Sequence, residues 1–356
     1  MAKDIYFSSP QPGRNDDGDF TFEEIPAAAA PGAQRPARRA PAGNGSPAPA
    51  PTRGKKKKKK KHRFLKLVCF LLILTVGLGG GALYGYVLRD YRAAPLEENA
   101  YVNGGLMHDK RVYNILLMGV DTMSTSESTR SDAMILLSLD AVNGAIKLTS
   151  FMRDMYVSIP GYGDTKLTHA CMYEGPQLTV DTIELNFGVD IDAYVKIGYD
   201  VFIELVDGVG GITVAEIDST ESWALAEENV YIDPGTNIHL NGEQAIKYVR
   251  IRHGQSDFAR TERQREAITL IFGQAKKTNP LKLLQLARSI AGKVESSVPK
   301  SEFALLALRA LRCVFHGVEQ QQIPADGTWS DATRSGMAVL LVDFEANRNI
   351  IKNFIY

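Results

Sequence analysis

The chain has 356 residues, of which 44% are hydrophobic and 23% charged, and its formal net charge is zero. It is long enough for at least one full-sized globular domain and for a further segment that is not globular. Three cysteines, Cys69, Cys171 and Cys313, exclude a dense disulfide framework and match no zinc-ligand spacing such as C-x-x-C.

The first 63 residues are rich in Pro, Ala, Gly and Arg and contain few large apolar side chains. Burying so little apolar surface cannot offset the entropy of ordering, so the sequence predicts a disordered tail. Seven consecutive lysines, Lys55–Lys61, lie near its end. We expect them to fix membrane topology and attract anionic membrane lipids, whereas nucleic-acid binding is the alternative and is not expected.

An uncharged run of 22 residues, Leu67–Leu88, follows the lysines. At 1.5 Å per residue it can cross a hydrocarbon core of about 30 Å, so we predict a transmembrane signal-anchor helix over 64–88. A cleaved signal peptide fits less well, because the run is long, begins far from the N-terminus and lacks a small-residue cleavage site. The positive-inside rule places residues 1–63 in the cytoplasm. It places the linker at 89–107 and the domain at 108–356 on the outer side of the cell membrane.

Residues 108–356 have the pattern of an α/β domain. Strands are predicted at Tyr113–Val120, Ala133–Leu139, Ala145–Phe151, Tyr194–Ile197, after the turn at 208–211, and at Met337–Val342. Helices are predicted at Gln177–Asn186, Val201–Val206, Leu240–Tyr248, Ala259–Lys276, Leu281–Val294, Glu302–Val314 and at the C-terminus. Because strands and helices alternate, we expect a central mixed sheet with helices on both faces, a three-layer α-β-α arrangement.

Two aspartates lie at adjacent strand ends. Asp121 follows the first predicted strand and Asp132 precedes the second, with Arg130 between them in sequence. Carboxylates placed in this way can converge on one hard cation, and Mg²⁺ usually takes one or two carboxylates and completes its shell with water and phosphate oxygens. The alternative is that each aspartate only caps a turn.

Arginines accumulate in the same domain. Arg250 and Arg252 are two residues apart, Arg260, Arg263 and Gln264 have helical i, i+3, i+4 spacing, and Arg153 ends a strand. Guanidinium groups bind phosphate oxygens bidentately and stay charged, so a convergent set suits a pyrophosphate. Any one of these arginines could instead be an ordinary surface charge.

Nucleophilic catalysis by the protein has little support in the sequence, which contains no G-x-S-x-G, Walker or H-E-x-x-H motif. His169 and His253 are isolated, which favours structural roles. Cys69 lies in the apolar run and is interpreted as packing. Cys171 and Cys313 can be two buried free thiols or, in an oxidising compartment, a pair.

Eight ordered segments of residues 108–356 resemble motifs of the LytR-CpsA-Psr family. They are Asn114–Asp121, Arg130–Asp132, Phe151–Val157, Lys166–Ala170, Val206–Gly211, Leu240–Ala245, Val249–His253 and Asp257–Gln264. The chain departs from the family pattern at Met152, where many members have Pro, and at Ala133, where many have Thr. Neither residue supplies charge, so we expect a changed loop shape and retained activity.

The resemblance implies a Mg²⁺-dependent phosphotransferase that moves a teichoic-acid or capsular glycan phosphate from a polyprenyl-pyrophosphate carrier to peptidoglycan. It implies that Asp121 and Asp132 hold the metal and that Arg130, Arg153, Arg250, Arg252, Arg260 and Gln264 contact the pyrophosphate, with Arg263 added by its spacing. Asp121, Asp132 and Arg153 are then the catalytic residues, and Asp132 or Asp154 takes the acceptor's proton. An apolar pocket between sheet and helices is expected to house the prenyl chain.

Three other functions compete with this interpretation. A transcriptional regulator is opposed by the topology, which separates the arginines from DNA, and by the lack of a helix-turn-helix pattern in the tail. A lipid-pyrophosphate phosphatase would use the same site with water as acceptor. A non-catalytic envelope scaffold would have little need for the acids and arginines.

Overall fold

The structure is a computed structural model that describes residue 81 and residues 84–121, 129–252, 256–313 and 317–356. The predicted tail, most of the predicted membrane helix, Cys69 and His253 lie outside these residues. Within the described ranges, no helix has both the length and the apolar character needed to cross a bilayer.

Twelve strands occur in the described residues. They are β1 (Val112–Val120), β2 (Ser131–Asp140), β3 (Ala145–Phe151), β4 (Tyr156–Ile159), β5 (Gly163–Lys166), β6 (Ala193–Ile197), β7 (Ile212–Ile217), β8 (Gly235–Leu240), β9 (Glu295–Ser296), β10 (Val318–Ile323), β11 (Trp329–Arg334) and β12 (Met337–Val342). Six form the central sheet in the order β10-β3-β2-β1-β6-β9. This sheet is mixed, because β1 runs antiparallel to β2 and parallel to β6.

Nine α-helices follow residue 167 in the described chain. They are α1 (Thr168–Glu174), α2 (Pro176–Phe187), α3 (Tyr199–Val209), α4 (Ser219–Glu227), α5 (Gly242–Tyr248), α6 (Asp257–Ala275), α7 (Pro280–Ile290), α8 (Phe303–Cys313) and α9 (Phe344–Ile355). The N-termini of α4 and α5 can be recognised in the sequence, because Asp218 and Asn241 each form a capping box with the residue three positions later.

The two faces of the sheet are covered by different helices, which confirms the predicted mixed sheet with helices on both sides. Alternate β1 and β2 residues, such as Leu116 and Met134, join one buried cluster with α2 and α9. The intervening residues, such as Ile115 and Ile135, pack toward α6 and α8. Strand side chains alternate between faces, so one uninterrupted apolar run supplies both layers.

A third cluster, built by α3, α4, α5, α6 and the β7–β8 ribbon, lies beside the sheet. It places the start of α3 and the residues after α5 near the ends of β1 and β6. The parallel pairing of β1 and β6 brings their carboxyl ends to one edge of the sheet, where open α/β sheets commonly bind ligands.

The segment predicted as a linker, 89–107, packs against the domain. Tyr91 is buried, and its hydroxyl donates to the Val298 carbonyl at 2.7 Å. Val87 and Leu88, the last residues of the predicted membrane run, are buried beside Ala291. The folded unit therefore begins before residue 108.

Cys171 and Cys313 are free and buried, which confirms the free-thiol interpretation. Burial raises the pKa of both thiols, so neither is activated as a nucleophile.

Candidate active site

Asp121 and Asp132 both border the end of the β1–β2 pair. The register passes from Gly119 opposite Ala133 to Val120 opposite Ser131, so Asp132 is an extra residue on β2. An extra residue of this kind bulges the strand and redirects its side chain, and such bulges are common next to active sites.

A cavity of about 520 Å³ opens at this edge, between the sheet and the helices α3 and α6. Its interior is apolar, and the lining side chains include Leu117, Ile135, Val195, Phe202, Leu205, Ile268, Ile271 and Phe272. The charged and polar lining residues are Asp121, Asp132, Tyr199, Glu228, Lys247, Arg250, Arg252, Arg260 and Gln264. The predicted apolar pocket is thus present, and it carries most of the predicted site residues on its wall.

Arg250 and Arg252 each pair with one of the two aspartates. Arg250 Nη2 lies 3.5 Å from Asp121 Oδ1, and Arg252 Nη2 lies 3.4 Å from Asp132 Oδ2. Both arginines are partly exposed, so the pairs are loose and solvated. A phosphate can therefore replace the carboxylates as the partner of these guanidinium groups at little cost in free energy.

Tyr199 joins Asp121 to Arg250, and the sequence reasoning missed it. Its hydroxyl hydrogen-bonds to Asp121, and its ring lies 4.5 Å from the Arg250 guanidinium carbon. Burial and the Asp121 hydrogen bond raise the pKa of Tyr199, so the phenol stays protonated and donates. The available signal was its position two residues after β6, whose end adjoins Asp121.

Arg260 is a buried cation with unused donors. It is 3% exposed, and burial, followed by the charge of Arg153, lowers its pKa. Its Nη1 lies 3.1 Å from Asp257 Oδ1, whereas its Nε has no hydrogen-bond partner within the described residues. The side-chain oxygen of Gln264, one turn along α6, also lacks a partner there. Buried donors are rarely left unpaired, so the Arg260 Nε, on a residue that lines the cavity, is available to an anionic ligand.

Arg153 differs from its predicted position, because it does not line the cavity. Its Nη1 lies 2.7 Å from Asp132 Oδ1, and its other nitrogens lie 3.4 Å from Asp154 and 3.5 Å from Asp257. Burial acts against its charge, but the three carboxylates raise the pKa of Arg153. This side chain orients Asp132, and a direct contact with pyrophosphate is not what its geometry favours.

The predicted role of Arg263 needs correction. The side chain is 4% exposed and turns away from the cavity, where its Nε pairs with Glu221 at 2.8 Å and its Nη1 donates to the Ile251 carbonyl at 3.1 Å. Its charge is already neutralised by Glu221, so Arg263 holds α6 against α4.

Arg130 lies exposed just before β2 and is not part of the cavity wall. Its charge reaches His169, whose pKa is lowered first by burial and then by Arg130. The Nδ1 of His169 lies 2.9 Å from the Thr165 hydroxyl, in agreement with a structural role for this histidine.

Asp154, the second predicted candidate for the base, also lies off the cavity wall. Burial alone would raise the pKa of Asp154, but hydrogen bonds with Asp257 and Lys166 and the charge of Arg153 hold it below its ordinary value. Its Oδ1 accepts from Lys166 Nζ at 2.6 Å. Asp154 is therefore engaged in holding Arg153 and Lys166.

The donor set at the cavity fits a magnesium ion. Asp121 and Asp132 offer carboxylate oxygens on the same wall. Their pairs with Arg250 and Arg252 are long enough to be exchanged for a cation and phosphate, while Asp132 keeps its shorter pair with Arg153. A different acidic group, His108, Asp190 and Asp192, lies at the opposite end of β1, and its possible ligand atoms are within 4.8 Å of one another. Burial raises the pKa of Asp192 to about 6.

Comparison with known families gives one match over most of the chain. Residues 89–352 match the model described as the LytR_cpsA_psr family. A polyisoprenyl-teichoic acid–peptidoglycan teichoic acid transferase, TagU of Halalkalibacterium halodurans, is 30% identical over 272 residues, which cover 72% of this chain and 86% of TagU.

Solved structures share the fold. A structure described as TagT bound to LIIa-WTA is 25% identical, with a TM-score of 0.61 over 74% of this chain and 97% of that one. A second, described as YwtF (TagT) with bound octaprenyl pyrophosphate lipid, is 24% identical, with a TM-score of 0.58 over 74% and 99%.

Proposed function

Because this chain belongs to the LytR-CpsA-Psr family, we propose that it transfers a glycopolymer phosphate from a polyprenyl-pyrophosphate carrier to peptidoglycan. The single observation that carries this proposal is the cavity, whose apolar interior suits a prenyl chain and whose mouth suits a pyrophosphate. The curated relative TagU, named a teichoic acid transferase, supports the same reaction class.

Each wall of the cavity has a separate task in this reaction. The prenyl chain lies among Leu117, Phe202 and Phe272, because apolar surface left in water would cost about 25 cal/mol per Å². Arg260, with unused buried donors, binds the diphosphate, and Arg250 and Arg252 exchange their loose carboxylate pairs for its oxygens.

We propose that Asp121 and Asp132 hold Mg²⁺, which when bound supplies positive charge to the phosphate oxygens. Tyr199 orients Asp121, and Arg153 orients Asp132. These two side chains are positioning residues, since they act through the carboxylates that they hold.

The chemical step is an attack of an acceptor hydroxyl oxygen on the phosphorus that carries the glycan. The bond from this phosphorus to the bridging oxygen breaks, and polyprenyl phosphate leaves with the bonding pair. The arginines neutralise the charge that grows on that oxygen. Of the two candidates for the base, Asp132 lies on the cavity wall and can receive the hydroxyl proton, whereas Asp154 does not.

We further propose a single-pass membrane protein with a cytoplasmic N-terminus and an extracytoplasmic domain. The support is the lysine run before an uncharged segment of 22 residues. A reporter fused after Tyr356 that fluoresces only in the cytoplasm should stay dark, and bright cells would contradict this topology.

The test of activity uses the purified full chain in detergent with a polyprenyl-pyrophosphate-linked glycan donor, Mg²⁺ and peptidoglycan oligomers. Mass spectrometry should detect glycan phosphate on the peptidoglycan together with released polyprenyl phosphate. Free glycan phosphate without a peptidoglycan adduct would identify a phosphatase instead, and an unchanged donor would remove the support for either enzyme.

A further inference from the structure

Two tyrosines outside the cavity form a stacked, exposed pair. The rings of Tyr162 and Tyr173 lie 4.4 Å apart at an angle of 18°. Tyr162 is 48% exposed and Tyr173 is 37% exposed. Aromatic rings that remain in water after folding leave apolar area available for a ligand.

The local backbone fixes this pair, which we call the tyrosine platform. Tyr162 lies in the turn of the β4–β5 hairpin between Gly161 and Gly163, both at φ +77°, a conformation that favours glycine. Its hydroxyl donates to Glu174 Oε1 at 2.8 Å. A ring held at both its backbone and its hydroxyl is ordered before any ligand binds, which lowers the entropic cost of binding.

Helix α1 connects the platform to the reaction site. At its start, the Thr168 hydroxyl donates to the Ser131 carbonyl at 2.9 Å, directly beside Asp132, and the Thr168 amide donates to the Arg153 carbonyl at 3.1 Å. Tyr173 lies five residues later, an axial rise of about 7.5 Å. Lys166, just before this helix, pairs with Asp154, which in turn pairs with Arg153.

We propose that the tyrosine platform binds a pyranose ring of the peptidoglycan acceptor, so that an acceptor hydroxyl reaches Asp132. The inference rests on the proposed function, and it adds where the acceptor lies. A pyranose presents an apolar C–H face that packs on an aromatic ring and hydroxyls at its edge that can bond to Glu174 and the phenols. The platform lies off the cavity wall, so it leaves the pyrophosphate and prenyl sites free.

The same chemistry could come from the donor, since its glycan also consists of sugar rings. The two sources differ in kinetics, because a platform for the acceptor affects the KM for the acceptor and a platform for the donor affects the KM for the donor. Only the acceptor must place a hydroxyl at Asp132 from outside the cavity, and this requirement favours the acceptor.

The experiment compares Tyr162→Ala, Tyr173→Ala and Tyr162→Phe in the full chain. Tyr231→Ala is the matched control, because Tyr231 is 79% exposed in the loop before β8. Transfer is measured with acceptor varied at saturating donor and with donor varied at saturating acceptor. Co-sedimentation with purified peptidoglycan sacculi gives a readout that does not need turnover, and thermal melts confirm folding.

We expect Tyr162→Ala and Tyr173→Ala to raise the KM for the acceptor roughly three- to tenfold, the range of one lost aromatic contact, with kcat and the KM for the donor unchanged. Tyr162→Phe keeps the ring but loses the hydrogen bond to Glu174, so its KM for the acceptor should rise less than that of Tyr162→Ala. Tyr231→Ala should match wild type. Sacculus binding should weaken most in Tyr162→Ala and Tyr173→Ala and should be unchanged in Tyr231→Ala.

A raised KM for the donor would assign the platform to donor sugars and overturn the acceptor assignment. Unchanged KM values and unchanged sacculus binding would overturn the platform altogether. If the wild-type chain transfers nothing, the proposed function fails, while weaker sacculus binding by folded alanine variants would still support the platform.

Discussion

Mutation of Arg260 distinguishes most clearly between a role in binding pyrophosphate and a role in structural packing. Its guanidinium is buried. Among the described residues, its Nε has no hydrogen-bond partner and its ion pair is with Asp257, which keeps a second pair with Arg153. In Arg260→Met the lost pair is offset by removal of a poorly compensated buried charge. We therefore expect the free energy of unfolding to change by no more than about 1 kcal/mol.

The effect on catalysis should be much larger. A hydrogen bond from a charged donor to phosphate contributes about 1.5 to 3 kcal/mol, so kcat/KM should fall roughly tenfold to more than a hundredfold. Arg260→Lys keeps the charge but loses the planar donor geometry, and it should remain clearly impaired.

Arg263→Met is the matched control, because Arg263 lies on the same helix and is equally buried but pairs with Glu221. Breaking this pair leaves a carboxylate without its partner and should cost about 3 to 5 kcal/mol of stability. The folded fraction should retain wild-type kcat/KM.

The assay combines transfer kinetics with chemical denaturation of each variant. The opposite pattern, with Arg260→Met active and Arg263→Met inactive but stable, would refute the assignment of these two arginines. Wild-type kinetics in both variants would leave the anion site without support.

Three further predictions test other parts of the account. Tyr199→Phe removes the hydrogen bond to Asp121 and should raise the Mg²⁺ concentration needed for half-maximal activity, roughly three- to tenfold; an unchanged Mg²⁺ titration would contradict its positioning role. Leu205→Trp fills the cavity and should raise the KM for long prenyl donors more than for short ones, whereas equal changes would place the lipid elsewhere. Burial raises the pKa of Glu184 from 4.5 to about 7, so between these pH values the folded state keeps a proton that the unfolded state has released. The free energy of unfolding should therefore fall as the pH rises from about 4.5 to 7. Thermal melts of Glu184→Gln across this range should show a smaller fall.

The central strands were predictable because burial on both faces demands apolar residues at nearly every position. The predicted Ala145–Phe151 coincides with β3, and Tyr113–Val120 differs from β1 by one residue. The β10 strand was missed, because Val318–Ile323 contains Glu and three Gln and lies at the edge of the sheet. Its pairing with β3 depends on tertiary contacts that no local pattern encodes.

Hairpin β4–β5 and helix α1 were also missed, since each is short and lacks a clear period. They carry the tyrosine platform and the hydrogen bond from Thr168 to Ser131, so the part of the site that spans several elements was the hardest to predict.

Met152 is one of the two positions where the chain departs from the family pattern, and its amide donates to the Ile323 carbonyl at 2.8 Å. A proline at this position could not make that bond.

The helical spacing of Arg260, Arg263 and Gln264 was correct but led to one wrong inference. At 100° per residue, Gln264 is 40° from Arg260, whereas Arg263 lies 60° away on the other side. Gln264 and Arg263 are thus about 100° apart, which is wide enough for Gln264 to face the cavity and for Arg263 to face Glu221. Spacing alone could not predict that Arg263 would pair with Glu221.

The most direct test of the central claim is photo-crosslinking of the full chain with a polyprenyl pyrophosphate that carries a diazirine on its prenyl chain. Crosslinked peptides identified by mass spectrometry should come from α3 and α6, which line the cavity, and Arg260→Met should reduce their yield. Crosslinks confined to peptides outside the cavity, or a yield that Arg260→Met leaves unchanged, would contradict the account.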